Sequence, residues 1–115
     1  MKLIIAFLWL IIVTILLTLP GSAFPKENWF NKIWLDKWIH VFLFAVLVFL
    51  WARAMGKNYP MVMILALIYG VGMEFIQLYF VRNRSFDKGD IVADGIGALL
   101  GWLIVRYRYK KNKPL

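Results

Sequence analysis

The sequence predicts an all-α membrane protein: a bundle of four transmembrane helices, with a short interfacial amphipathic helix between the first two spans. Three observations predict it. The 115 residues are 63% hydrophobic and 17% aromatic, more apolar surface than a soluble chain of this length can hide. The apolar residues fall into four helix-length runs joined by short connections. The basic residues gather where runs end, most densely in the tail that follows the last one. A single domain over residues 1–115 accounts for the length.

The first span is predicted over 3–19, preceded by Lys2 and stopped by Pro20. A signal peptide cleaved after Ala23 is the rival reading, because Gly21, Ser22 and Ala23 are small. The apolar run exceeds the roughly 7–15 residues of a signal core, so a retained helix is expected. Between Phe24 and Lys37, the residues Trp29, Phe30, Ile33, Trp34 and Trp38 recur at helical spacing, with Asn28 placed to cap. This is the interfacial helix. An aromatic belt at headgroup level explains it; a platform for a lipid substrate is the alternative.

The second span is predicted over 38–52, the third over 59–80 and the fourth over 91–105, with a basic tail over 106–115. The second and fourth are short against the ~20 residues a crossing helix needs. Flanking residues extend them, or the bilayer thins.

With the N-terminus inside, the inner side holds Lys2, Arg53, Lys57, Arg106, Arg108, Lys110, Lys111 and Lys113. The outer side holds Lys26, Lys32, Lys37, Arg82, Arg84 and Lys88. Basic residues favour the cytoplasm, and the dense tail adjoins a span. The expected protein is therefore multi-pass in the cell membrane with both termini cytoplasmic. All six acids, Glu27, Asp36, Glu74, Asp87, Asp90 and Asp94, then fall in the outer half. A polar site near the outer face would explain that segregation.

Composition also excludes classes. There is no cysteine, which removes disulfides, iron–sulfur clusters and thiolate metal sites. The net charge of +8 invites a nucleic-acid reading. The basic tail directly follows an apolar run, so it is expected to meet anionic lipid headgroups instead. Membrane lipids are the expected partners, and no nucleic acid is expected.

The candidate site begins with acids in apolar runs. A carboxylate inside a span costs a few kcal/mol on insertion scales and usually faces a protein interior or wet cavity. Glu74 lies about 9 Å below the outer end of the third span, Asp94 about 5 Å below that of the fourth, and His40 about 3 Å below that of the second, at 1.5 Å per residue. Gly70, Glu74 and Gln77 share one helix face. Asp90, Asp94, Gly97 and Gly101 share another, and Gly97-x-x-x-Gly101 permits close helix approach that would bring Asp94 towards Glu74. Asp36 and His40 are four apart, so the carboxylate is placed to orient the imidazole. Asp87 and Asp90 also fit a simpler role, capping the start of the fourth helix. Glu74 and Asp94 have a simpler reading as interhelical glue.

These residues form an ordered series. Asp36-Lys37-x-x-His40, Gly70-x-x-x-Glu74-x-x-Gln77, Arg84-x-x-Asp87-x-x-Asp90, Ala93-Asp94 and Gly97-Ala98-x-x-Gly101 follow one another over roughly residues 36–101. The series resembles the VanZ-like family. Asp94 stands where that family usually has Asn, which adds a charge that Arg84 or His40 would offset. The spacing from Gln77 to Arg84 is about one residue longer than usual, and Arg84 rather than Arg82 matches the family arginine. The resemblance implies a small bacterial integral membrane protein of the cell envelope, in a context of glycopeptide susceptibility. It implies no particular reaction.

Three functions compete. In the first, the chain is an enzyme or binder for a lipid-linked or cell-wall-related anionic molecule at the outer leaflet. Glu74 would act as general acid or base, His40 would shuttle protons, and Asp94 would complete the catalytic set. Lys37 and Arg84 would hold the anionic group, with Gln77, Asp36, Asp87 and Asp90 lining the site. One histidine and no recognised ligand spacing argue against a metal, and no cofactor is expected. In the second, the chain transports or sequesters an amphiphile. In the third, the cluster fixes helix pairing in a structural or partner-regulating bundle. Oligomeric state is not legible in the sequence.

Overall fold

The computed structural model describes residues 1–18, 35–55, 59–80 and 88–110. Four helices fill these segments: α1 (Lys2–Leu17), α2 (Leu35–Met55), α3 (Tyr59–Phe80) and α4 (Lys88–Lys110). No strand occurs among the described residues. The expected interfacial helix, the cleavage point after Ala23, and Arg84 and Asp87 lie outside them. So does the side chain of Asp36.

The helices form where the chain lacks interior breakers. Pro60 is the second residue of α3, where a missing N–H costs no intrahelical bond. α1 stops at Leu17, and the Thr18 hydroxyl bonds back to the Thr14 and Ile15 carbonyls. α3 coincides with the expected 59–80. α2 and α4 run beyond the expected 38–52 and 91–105, to 35–55 and 88–110. Charged and interfacial residues at their ends continue the helical backbone past the apolar run.

Polarity is inverted relative to a soluble bundle. Ile4, Leu8, Ile11 and Ile15 of α1 face outward, as do Ile64 and Ile68 of α3 and Leu99 and Leu103 of α4. His40, Glu74, Gln77, Asp90 and Asp94 are buried. Water would penalise both halves of that arrangement, and lipid favours both. Two helical stretches, Lys37–Met55 and Pro60–Phe80, are long and apolar enough to cross a membrane. α1 is apolar but shorter, at 16 residues. α4 carries Asp90 and Asp94 near one end and Arg106, Arg108 and Lys110 near the other.

α2 is the hub, touching α1, α3 and α4. Its contact with α4 is the most extensive in the fold. The pairs Lys37–Asp90, His40–Asp94, Val41–Gly97 and Ala45–Gly101 advance together along both chains, so α2 and α4 run parallel. Glycine makes the approach possible. A Cβ on Gly97 would collide with the Val41 carbonyl oxygen, and one on Gly101 would lie 2.6 Å from that of Ala45. The glycine face thus docks on α2, whereas the sequence argument directed it towards α3.

α1 meets α2 differently. Phe7 and Trp51 stack edge-on at 4.8 Å between ring centroids, and Trp9 and Phe42 at 6.1 Å. The Trp9 indole N–H donates to the Leu43 carbonyl at 3.0 Å. The apolar core, including Val13, Phe44, Leu47, Val48 and Met73, lies among these helices.

Candidate functional site

The buried polar groups meet along the α2–α4 seam. His40 sits on the first turns of α2, and Asp90 and Asp94 on the first turns of α4. Parallel packing places those starts side by side. His40 Nδ1 and Asp94 Oδ1 are 2.6 Å apart, and the imidazole N–H donates to the carboxylate. His40 Nε2 is 3.8 Å from Asp90 Oδ2, within ion-pair range but too long for a hydrogen bond. Lys37 Nζ donates to Asp90 Oδ1 at 2.8 Å. The series Lys37–Asp90–His40–Asp94 therefore alternates base and acid from the half-buried lysine to Asp94, which is 2% exposed.

α3 closes the site. Gly70 lies against Asp94: a Cβ there would come 3.0 Å from Asp94 Oδ2 and 3.2 Å from the Phe44 ring. One turn further, Glu74 is 1% exposed, and it is near enough to His40 to act on it electrostatically. Gln77 shares the Glu74 face and is equally buried. Its Nε2 donates to the Leu17 carbonyl at 2.6 Å, while its Oε1 has no hydrogen-bond partner among the described residues. Leu17 is the last residue of α1, where helix carbonyls lack intrahelical donors. Gln77 therefore caps α1 from another helix.

Of the nine residues singled out in the sequence, six have described side chains: Lys37, His40, Glu74, Gln77, Asp90 and Asp94. All six lie at the same end of the bundle, where α2 and α4 begin and α3 nears its end. Asp36 was expected to orient His40, and its side chain lies outside those described; Asp94, from a different helix, bonds the Nδ1 atom. Asp90 is more than a cap, since it is buried and ion-paired to Lys37. The charge added by Asp94 is met by His40, one of the two partners expected. Among the described residues no group of three or more His, Asp or Glu side chains is arranged to hold a metal.

One polar pair escaped sequence reasoning. Thr14 Oγ1 and the Tyr69 hydroxyl are 2.6 Å apart, joining α1 to α3 below the cluster. Thr14 also donates to the Leu10 carbonyl, so the Tyr69 hydroxyl supplies the proton between them. A hydroxyl inside each of two apolar runs was the available signal.

The imidazole has one nitrogen fixed by a buried carboxylate. The other lies 3.8 Å from Asp90 Oδ2. That is the arrangement of a proton-transfer histidine with an orienting acid. It serves equally as a polar lock between two helices.

No curated protein and no solved structure matches the chain. A family profile does, VanZ/LLP1, over residues 3–109. That range takes in all four helices except Lys2 at the start of α1 and Lys110 at the end of α4, and the whole cluster. Together with the two membrane-length apolar stretches it points to a membrane protein. Covering nearly the full length, the match places this chain in the VanZ/LLP1 family.

Proposed function

We propose that the chain is a four-span cell-membrane protein with both termini cytoplasmic, whose polar site near the outer face acts on or binds a lipid-linked or cell-wall-related anionic molecule. The observation that carries this reading is His40, tied to Asp94 at 2.6 Å through Nδ1 and 3.8 Å from Asp90 through Nε2, so that two buried acids flank one imidazole. His40 is the proton-transfer group, and Asp94 sets its ring orientation. Lys37 contributes the cation at the mouth, joined by Arg84 from the connection that precedes α4. Glu74 is a second proton carrier on the opposite wall. Four spans follow from taking α1 and α4 across the bilayer beside α2 and α3, with charged ends at the interfaces.

A structural reading has its own support, since Lys37–Asp90 and His40–Asp94 both cross between helices. The two are separated by His40→Asn, Glu74→Gln and Arg84→Gln, each assayed for membrane abundance and for glycopeptide susceptibility of the host. Loss of phenotype at normal abundance supports the site. Loss of abundance in step with phenotype overturns it in favour of helix pairing. Native mass spectrometry of the purified protein, with a co-purifying anionic lipid released by Lys37→Gln, supplies the ligand class.

A further inference from the structure

The α2–α4 seam, which brings the backbones together at Val41–Gly97 and Ala45–Gly101, has two sides. One faces the bundle and contains His40 and Asp94. The other faces outward as a groove of about 460 Å³ lined by Lys37, Trp38, Val41, Val92, Ala93 and Ile96. Ala93 is its buried floor, and Trp38, Val92 and Ile96 are exposed walls. The Lys37–Asp90 ion pair stands at its mouth and is shared with the buried cluster, and the lysine side chain is 24% exposed.

Three features specify an occupant. The lining below Lys37 is apolar and opens sideways to the surface the protein presents to lipid. From Gly89 to Ile96 the groove descends about 10.5 Å at 1.5 Å per residue, against about 15 Å for one leaflet's hydrocarbon. A cation sits at the headgroup end, beside an exposed tryptophan of the kind that marks headgroup level. We propose that this groove seats one hydrocarbon chain of an anionic amphiphile drawn laterally from the leaflet, with its head held at Lys37 beside Asp90 and His40. The inference rests on the outer-face site proposed above and adds to it a tail-binding surface and a lateral route. It also restricts the ligand to molecules with at least one straight chain reaching from head to mid-leaflet.

The test uses the full chain in phosphatidylcholine nanodiscs. These are doped with either phosphatidylglycerol or phosphatidylcholine carrying a diazirine on one acyl chain. After irradiation, adducts are mapped by mass spectrometry. The expected result is enrichment at Val92 and Ile96 over the equally exposed Ile64 and Ile68 of α3, greater for phosphatidylglycerol. Lys37→Gln should abolish the headgroup preference, a loss of about tenfold for a charge-assisted contact. Val92→Trp, on an exposed wall, should fill the groove and remove the Ile96 adducts while leaving those on α3. Adducts spread evenly over the outward faces of α1, α3 and α4 would overturn the groove itself. Enrichment in the groove with no headgroup preference would overturn the anionic ligand, and with it the reading of the outer-face site. Protein–protein adducts through Val92 would show a second copy of the chain there and also overturn the proposal.

Discussion

α2 is gripped on two sides by opposite means. Towards α4, glycines remove side chains and the backbones nearly touch at Val41–Gly97 and Ala45–Gly101. Towards α1, aromatic rings fill the contact, with Phe7 on Trp51 and Trp9 on Phe42. The polar chemistry of the two interfaces differs accordingly. Aspartate is short, and it reaches across to His40 and Lys37 only where the axes are close. Across the ring-filled α1 contact the polar link comes from a long side chain, an indole donating to a carbonyl. Close approach and buried charge therefore belong together in this fold, and the polar cluster depends on the glycines beneath it.

The most damaging way to break that contrast is to give the α2–α4 seam a side chain. Gly97→Leu places carbon against the Val41 carbonyl, a backbone atom that cannot swing aside. The expected cost is about 3 kcal/mol or more. Membrane abundance and resistance to detergent unfolding should both collapse. Gly101→Leu meets the Ala45 carbonyl and should act in the same way.

Asp94→Leu comes next. It leaves the buried His40 without its Nδ1 partner, at a cost of about 1–3 kcal/mol. Asp94→Asn keeps an acceptor at that place and should recover most of the loss in thermal unfolding. Equal losses for the two variants would mean that the carboxylate charge, not the hydrogen bond, joins the helices.

On the aromatic side the effects should be smaller. Trp9→Phe keeps a ring and removes the donor to Leu43, costing about 1 kcal/mol. Thr14→Val removes the Tyr69 bond and should cost about 0.6 kcal/mol, the usual size for such links in membrane proteins. Combined with Asp94→Leu, Trp9→Phe should add within about 0.5 kcal/mol, since the two share no partner. A larger departure in a double-mutant cycle would show that the two grips on α2 are coupled.

Much of this architecture was legible in the chain, and the omissions have physical reasons. α3 matched its expected limits because its apolar run is bounded in sequence by Lys57 and Asn58 on one side and Arg82 and Asn83 on the other. α2 and α4 ran longer, because hydropathy measures where lipid begins and not where hydrogen bonding ends. The common level of His40, Glu74 and Asp94 could be estimated from the rise per residue, given the helix ends. That Asp94 would meet His40 could not. The pairing is set by the crossing of α2 and α4, which joins residues 54 apart in the chain. Gly97 and Gly101 announced a close contact without naming the helix on the other side. The Gln77 cap on α1 was equally hidden, since it joins residues 60 apart in the chain.

That cap works as a ruler. A carbonyl at the end of a helix needs a donor, and Leu17 is buried, at 3% exposed. Gln77 supplies it to Leu17, so α3 fixes the level at which α1 ends. Adding one residue between Thr14 and Leu17 turns everything beyond it by about 100°. The carbonyl would then swing away from Gln77 while Thr14 stayed on Tyr69. Side-chain substitutions in this turn of α1 are thus tolerable where changes of length are not.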